Sequence, residues 1–235
     1  MTHAPNRLGG NPRGHDSDYL VAMVPAVRSD LAEAHERTWR ALASAGTWFS
    51  SSERRSLAST AMTTMWSTEV EAPDDDGSAP TAASRAAQRL GRGFPHVDRE
   101  WYESVRDEIG PLAYVELVGL VAVAAAASSF RRAVGLPERA LPEASGHEPS
   151  RIPPPELTDA TWNWVPVAAP ADRTAAVVQA LTAVPATFGE LWSLADAQYI
   201  PDAEMVDPKW TRGTLTRIEM ELIATRVSFS RECHY

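Results

Sequence analysis

The chain has 235 residues, 44% hydrophobic and 23% charged, enough to build a core for one large domain or two small ones. Lys and Arg number 22 against 31 Asp and Glu, a formal net charge of −9; so acidic a surface repels phosphate backbones, and with no Lys/Arg-rich run to offset it nucleic-acid binding is excluded. The single cysteine, Cys233, excludes an internal disulfide, so the fold is independent of oxidation and a reducing cytoplasm is the expected setting.

Residues 1–18 are polar, carry Pro5, Gly9, Gly10 and Pro12, and lack an apolar signal-peptide core; they read as a flexible tail. A first helical lobe is expected over 19–136. Leu20 to Ala45 is a helical region broken or restarted at Pro25, with Leu31, Ala34, Trp39 and Leu42 at helical spacing and Gly46 after it. Ser51 or Ser52 can cap the next helix, through Leu57, Ala61 and Met65. Pro73 to Pro80 is a polar loop, then a short helix spans Ala82 to Leu90 and a turn follows at Gly91, Gly93 and Pro95. Asp98 is an N-cap for a helix carrying Trp101, Val105 and Ile109.

Pro111 suits the first turn of a long helix from about Leu112 to Val134, closed by Gly135. Its uncharged run, Leu117 to Phe130, is shorter than the 18 or more apolar residues of a membrane span; it reads as a core helix whose alanines admit a close neighbour. No membrane association is expected.

Residues 137–170 are proline-rich, including Pro153 to Pro155, and form an extended surface connection, with Trp162, Trp164 and Val165 anchoring its end. A second lobe is expected over 171–235. It contains a helix at Asp172 to Val184, another opened by Pro185 through Leu191, Leu194 and Ala197, and a last one capped by Thr214 or Thr216. Leu215, Ile218, Leu222, Ile223 and Val227 form the apolar side of that last helix. No strand alternation of any length appears, so the fold class is all-α.

Two stretches echo one another. Gly46-Thr47, with the helix through Ser51 to Met65, resembles Gly213-Thr214 with the helix through Thr216 to Ser228. Matching Leu57 with Leu222 sets Ser56 on Glu221 and Thr68 on Cys233, so the first copy has neither carboxylate nor thiol.

The chemistry-bearing residues gather at the end of the chain. Ser230 can cap a new helix with Cys233 in its first turn, where free amides and the helix dipole favour a thiolate below its usual pKa of about 8.5. Arg231 would assist, whereas Glu221 and Glu232 would oppose by repulsion unless one is protonated. Glu221 lies twelve residues before Cys233, roughly 18 Å along a straight helix, so the chain must turn near Phe229 for the two to meet. The histidines His3, His15, His35, His96 and His147 lack ligand spacing, so no metal site is expected. There is no phosphate loop and no Gly-x-Ser-x-Gly elbow.

The stretch from Glu221 to Tyr235, with Glu-Leu-Ile-Ala-Thr-Arg-Val-Ser ahead of Cys233-His-Tyr, resembles the alkylhydroperoxidase D-like (carboxymuconolactone decarboxylase-like) superfamily. Trp101-Tyr102 and Ala113 to Gly119 also look like its longer, two-lobed members. The resemblance spans about Leu31 to Tyr235 and is densest over the last twenty residues.

It implies helical lobes, the second of them incomplete, a homo-oligomer, and reduction of a peroxide through a dithiol without a bound cofactor. Electrons would come from another thiol or dithiol protein. Cys233 would be half of the dithiol and Glu221 part of its proton relay. The family's second cysteine and its histidine would fall at positions 236 and 240, so the sequence reads as part of a longer protein. Two alternatives stand: a non-redox, decarboxylase-like enzyme working by acid–base groups, and a non-catalytic helical oligomerisation protein.

Overall fold

The computed structural model describes residues 27–67, 81–93, 97–154, 156–159, 163–168 and 176–230. The fold is all-α. In chain order come α1 (Ser29–Ala41), α2 (Ser51–Trp66), α3 (Ala82–Arg92), α4 (Arg99–Ile109) and α5 (Pro111–Ala133). After the proline-rich connection follow α6 (Ala176–Gln179), α7 (Pro185–Gln198), a short 3-10 turn (Asp202–Glu204) and α8 (Arg217–Ser230). A two-residue hairpin, β1 (Thr211–Arg212) with β2 (Leu215–Thr216), precedes α8 and turns on Gly213 at φ +61°.

Local chemistry sets the helix ends. Asp98 accepts the backbone N–H of Trp101 at 2.8 Å and starts α4. Pro111 occupies the first turn of α5, and Gly135 at φ +73° closes it: the Leu136 and Gly135 amides donate to the carbonyls of Arg131 and Arg132. The cap of α2 is Ser50, not Ser51 or Ser52. Ser50 and Glu53 form a reciprocal capping box, while Ser51 is buried and its hydroxyl accepts the Gly146 amide.

α5 is the hub. It packs against α1, α2, α3, α4 and α7, with Leu117, Leu120 and Ala124 fully buried. By length and composition it is the one described helix able to cross a membrane, yet 67% of its most apolar window is covered by neighbouring helices, as in a core helix. Its small residues act as expected. A Cβ at Gly119 would lie 1.9 Å from the Thr187 methyl of α7, so that glycine sets how closely the two helices approach.

The expected turn at Gly91 is instead the last part of α3. A Cβ there would meet the Ala61 carbonyl oxygen of α2 at 2.6 Å, so the glycine permits backbone-to-backbone packing within a helix rather than a break. Pro95 lies outside the described residues, as do the loop at 73–80, the tail at 1–18 and the restart at Pro25.

The connection after α5 is non-helical over its described residues and is strapped to α1, α2 and the turn between them. Trp39 Nε1 donates to the Ala140 carbonyl at 3.2 Å, Arg55 Nε to that of Pro142 at 2.8 Å, and the Arg151 amide to that of Thr47 at 2.8 Å. The Tyr102 hydroxyl donates to the Trp164 carbonyl, and Val165 packs on the core; the Trp164 side chain is half-exposed and Trp162 lies outside the described residues. Of the helix expected over 172–184 only α6 is helical among the described residues, and turns follow it. α7 then packs on α1 and α5, and Leu181, Ala183 and Val184 share a second core cluster with Leu112 and Val115.

Candidate thiol–carboxylate site

α8 begins with a capping box. The Glu219 amide donates to Thr216 Oγ1 at 3.3 Å and the Thr216 amide to Glu219 Oε2 at 2.8 Å. Hydrogen bonds from the Thr216 backbone and hydroxyl hold the Glu219 carboxyl below its ordinary range. The same device starts α2, with Ser50 and Glu53. Aligning the two boxes shifts the internal echo by one residue relative to the leucine match: Glu221 falls on Arg55, Cys233 on Ser67, and buried Met220 on buried Arg54. The first copy again has neither the carboxylate nor the thiol.

Glu221 sits one turn into α8. The Arg217 Nε donates to its Oε1 at 2.7 Å, and Arg217 is itself pinned by donating to the Met205 carbonyl at 3.1 Å. The Tyr199 hydroxyl and the Arg217 guanidinium hold the Glu221 carboxyl below the usual carboxylate range. Desolvation, with Glu221 beside it, pushes Tyr199 up to about 12. At neutral pH the cluster is therefore an ionised carboxylate flanked by a protonated phenol and a guanidinium. The Glu221 side chain is 45% exposed, so solvent reaches it.

Cys233 and His234 lie outside the described residues. The structure thus brings Glu221 together with Tyr199 and Arg217. α8 runs on through Phe229 to Ser230 without turning. The Ser230 hydroxyl donates back to the Val227 carbonyl at 2.8 Å, three residues earlier in the same helix, and the helix that Ser230 is expected to cap lies outside the described residues. From Glu221 to Ser230 is nine residues, roughly 14 Å of helix rise.

The apolar side expected on α8 is exposed. Only Met220 is buried on this helix, while Ile218, Leu222 and Phe229 are 79%, 69% and 74% exposed. Helical spacing defines the stripe, but no described element of the chain lies over it.

Sequence reasoning missed the strongest buried polar cluster. Arg54 of α2 and Glu116 of α5 are essentially inaccessible and pair at 3.1 Å. Arg54 Nη2 also donates to both carboxylate oxygens of Glu190 on α7, at 3.0 and 2.8 Å, and to the Ala41 carbonyl at 3.2 Å. The second Glu116 oxygen accepts the Trp48 amide at 2.7 Å. Gly46 makes room: a Cβ there would lie 1.9 Å from Glu116 Oε1. Two carboxylates on one guanidinium brace three helices, and the arrangement has no solvent-facing reactive group besides the edge of Glu190. A signal existed, since Glu116 is the one charged residue between Pro111 and Phe130.

His35 is buried at the junction of α1, α5 and α7. It stacks on Phe130 at 3.8 Å between ring centroids, and Nε2 lies 3.0 Å from the Gln198 amide nitrogen. Burial lowers its pKa to about 4, so it is neutral at physiological pH. Among the described residues no group of three or more His, Cys, Asp or Glu converges on a point that could hold a metal ion. No protein-family model matches the chain, and no curated protein or solved structure matches it.

Proposed function

We propose that the chain is a thiol-dependent oxidoreductase of the alkylhydroperoxidase D-like kind, in which Cys233 reduces a peroxide and Glu221 serves its proton traffic. The observation that carries this reading is Glu221 itself: an ionised, solvent-reachable carboxylate, oriented by Arg217 and Tyr199, on the helix that leads to Cys233. An ionised carboxylate accepts a proton. That is what activation of a neighbouring thiol requires, and once it has taken the proton the neutral carboxyl no longer repels the thiolate.

The step balances simply. The thiol loses its proton to the relay, and the thiolate sulfur attacks one peroxide oxygen. An S–O bond forms and the O–O bond breaks. The leaving oxygen takes a proton and departs as alcohol or water, with Cys233 left as sulfenic acid. A second thiol then condenses with the sulfenic acid, releasing water and closing a disulfide, and an external dithiol protein reduces it in the reducing cytoplasm. For Glu221 to reach the sulfur, the residues after Ser230 must fold back along α8 or a relay must bridge the gap.

The test is a pH titration of the Cys233 thiol combined with a hydrogen peroxide challenge read by mass, on the chain as it stands, with Cys233→Ser and Glu221→Gln beside it. The reading expects a thiolate pKa well below about 8.5, addition of one oxygen that Cys233→Ser abolishes, and a slower reaction in Glu221→Gln. An ordinary thiol pKa with no oxidation overturns it for this chain.

A second reading, a non-catalytic helical oligomerisation protein, is favoured by the uncovered apolar residues of α8. It expects no peroxide chemistry at Cys233 and a concentration-dependent mass in sedimentation that Leu222→Glu lowers.

A further inference from the structure

The chain is acidic overall, yet one cleft gathers arginines. Between α1, α2, the end of α5 and the segment after it lies a cleft of about 480 Å³. Arg131, Arg132 and Arg139 line it with one carboxylate, Glu138, and Arg139 is itself paired with Glu36 of α1 at 2.6 Å, which leaves Arg131 and Arg132 as the cleft's anion-facing cations. Its volume falls within the range of small-molecule sites. A second, smaller chamber of about 210 Å³ adjoins it and shares Trp39, Arg131, Leu136 and Arg139 with it. That chamber is closed mainly by apolar groups, among them Ala32, Ala127, Phe130 and the neutral ring of His35.

The arginines are held in place. Arg131 donates through Nε and Nη2 to the Pro137 carbonyl, at 3.2 and 2.6 Å, and its guanidinium lies 5.8 Å from the Trp39 ring centroid. Arg132 lies 4.2 Å over the Trp66 ring. The Trp66 indole is fixed in turn, donating to Ser128 Oγ at 2.7 Å, although the side chain is 39% exposed. A guanidinium has five N–H donors. Arg131 spends two on one carbonyl oxygen, and Arg132 spends Nη1 on the exposed Glu138 at 3.3 Å. Donors remain on both, aimed by stacking and by the Pro137 carbonyl. Ser59 and Thr63, one helical turn apart on α2, also line the cleft.

We propose that the two chambers together bind an organic monocarboxylate, its carboxylate against Arg131 and Arg132 and its apolar tail in the chamber beside Phe130. Arginine forks match the carboxylate plane and bind it through paired charge-assisted bonds. Of the small chamber's charged groups, Arg131 and Arg139 are shared with the cleft and Glu36 is neutralised by Arg139 at 2.6 Å, so the carboxylate stays on the cleft side and the mainly apolar lining accepts hydrocarbon. The site does not depend on the thiol chemistry and lies on different helices from Glu221.

The probe is decanoate, followed by isothermal calorimetry on the full chain. Decanamide has the same tail without the charge, and acetate the charge without the tail. Decanoate is expected to saturate one site about ten-fold or more tighter than decanamide, the worth of a charge-assisted bond, with acetate weaker than both. Arg132→Gln, a change at a half-exposed side chain that folding tolerates, should weaken decanoate by a similar factor and leave decanamide unchanged. Ala127→Leu, which narrows the small chamber, should weaken decanoate and leave acetate unchanged. Equal affinity for decanoate and decanamide, unaltered decanoate binding in Arg132→Gln, or no binding of decanoate at all overturns the proposal.

Discussion

Removing the Glu116 carboxylate tests the buried brace directly. Glu116 is 0% exposed, receives Arg54 Nη1 at 3.1 Å and accepts the Trp48 amide at 2.7 Å. Breaking a buried ion pair from one side costs about 3–5 kcal/mol, because a charge is left uncompensated. Here Arg54 keeps two bonds to Glu190, which is 25% exposed, so the charge is still partnered and the loss falls at the lower end. The Trp48 amide is orphaned as well, which costs about 1–3 kcal/mol where it is cut off from water. Glu116→Ala should therefore destabilise by about 4 kcal/mol. Glu116→Gln keeps the shape and one acceptor oxygen, and should cost about 2 kcal/mol.

The assay is urea unfolding at neutral pH, followed by far-ultraviolet circular dichroism. With a slope near the upper end for single domains, about 3 kcal/mol per M, the alanine variant should unfold more than about 1 M earlier and the glutamine variant about half as much earlier. A double replacement, Arg54→Met with Glu116→Leu, should recover part of the loss, since apolar groups of similar volume do not need the brace. An alanine variant that unfolds at the wild-type midpoint would refute the claim that this ion pair supports the fold. So would equal losses for alanine and glutamine.

Gly119→Ala should drive a methyl into Thr187 and cost about 1–3 kcal/mol by overpacking. Thr187→Ser removes the obstructing methyl and should recover much of the melting temperature in the double variant; no recovery would mean that the contact does not limit α5–α7 packing. His35 should also shape the acid limb of stability. Its folded pKa is lowered to about 4 from 6.5, so between those values the unfolded chain binds the extra proton. Stability from the neutral ring is full above 6.5, falls as pH drops towards about 4, and changes no further below that; His35→Gln should flatten this limb of the melting temperature against pH.

What could be read from the sequence was mostly local. Asp98, Pro111, Gly135 and Thr216 declare helix ends through their own side-chain or backbone chemistry, and the structure uses each as expected. Gly91 shows the limit of that logic. A glycine before a second glycine and a proline suggests a turn, yet here it serves a close approach to Ala61 that depends on a partner helix. The stripe from Ile218 to Phe229 makes the same point in reverse, because periodicity says which residues share a side and not whether anything covers them. Glu221 was legible from its spacing to Cys233, but Tyr199 as its neighbour was not, being twenty-two residues away across a hairpin. Arg54 and Glu190 escaped notice because a charged residue on a helix is usually solvated, and only the tertiary fold takes Arg54 out of water.

The brace joins partners far apart in the chain. Arg54 and Glu116 are 62 residues apart, whereas Arg54 and Glu190 are separated by 136. Closing the longer loop costs only about 0.6 kcal/mol more for each doubling of length, but it has to wait for the whole proline-rich connection to be laid along α1 and α2. The first five helices can collapse around α5 with the guanidinium half-compensated. Arrival of α7 then completes its charge, since Glu190 gives Arg54 its second carboxylate. Hydrogen exchange should find α5 and α7 opening together, with α8, which adds little to that core, opening first.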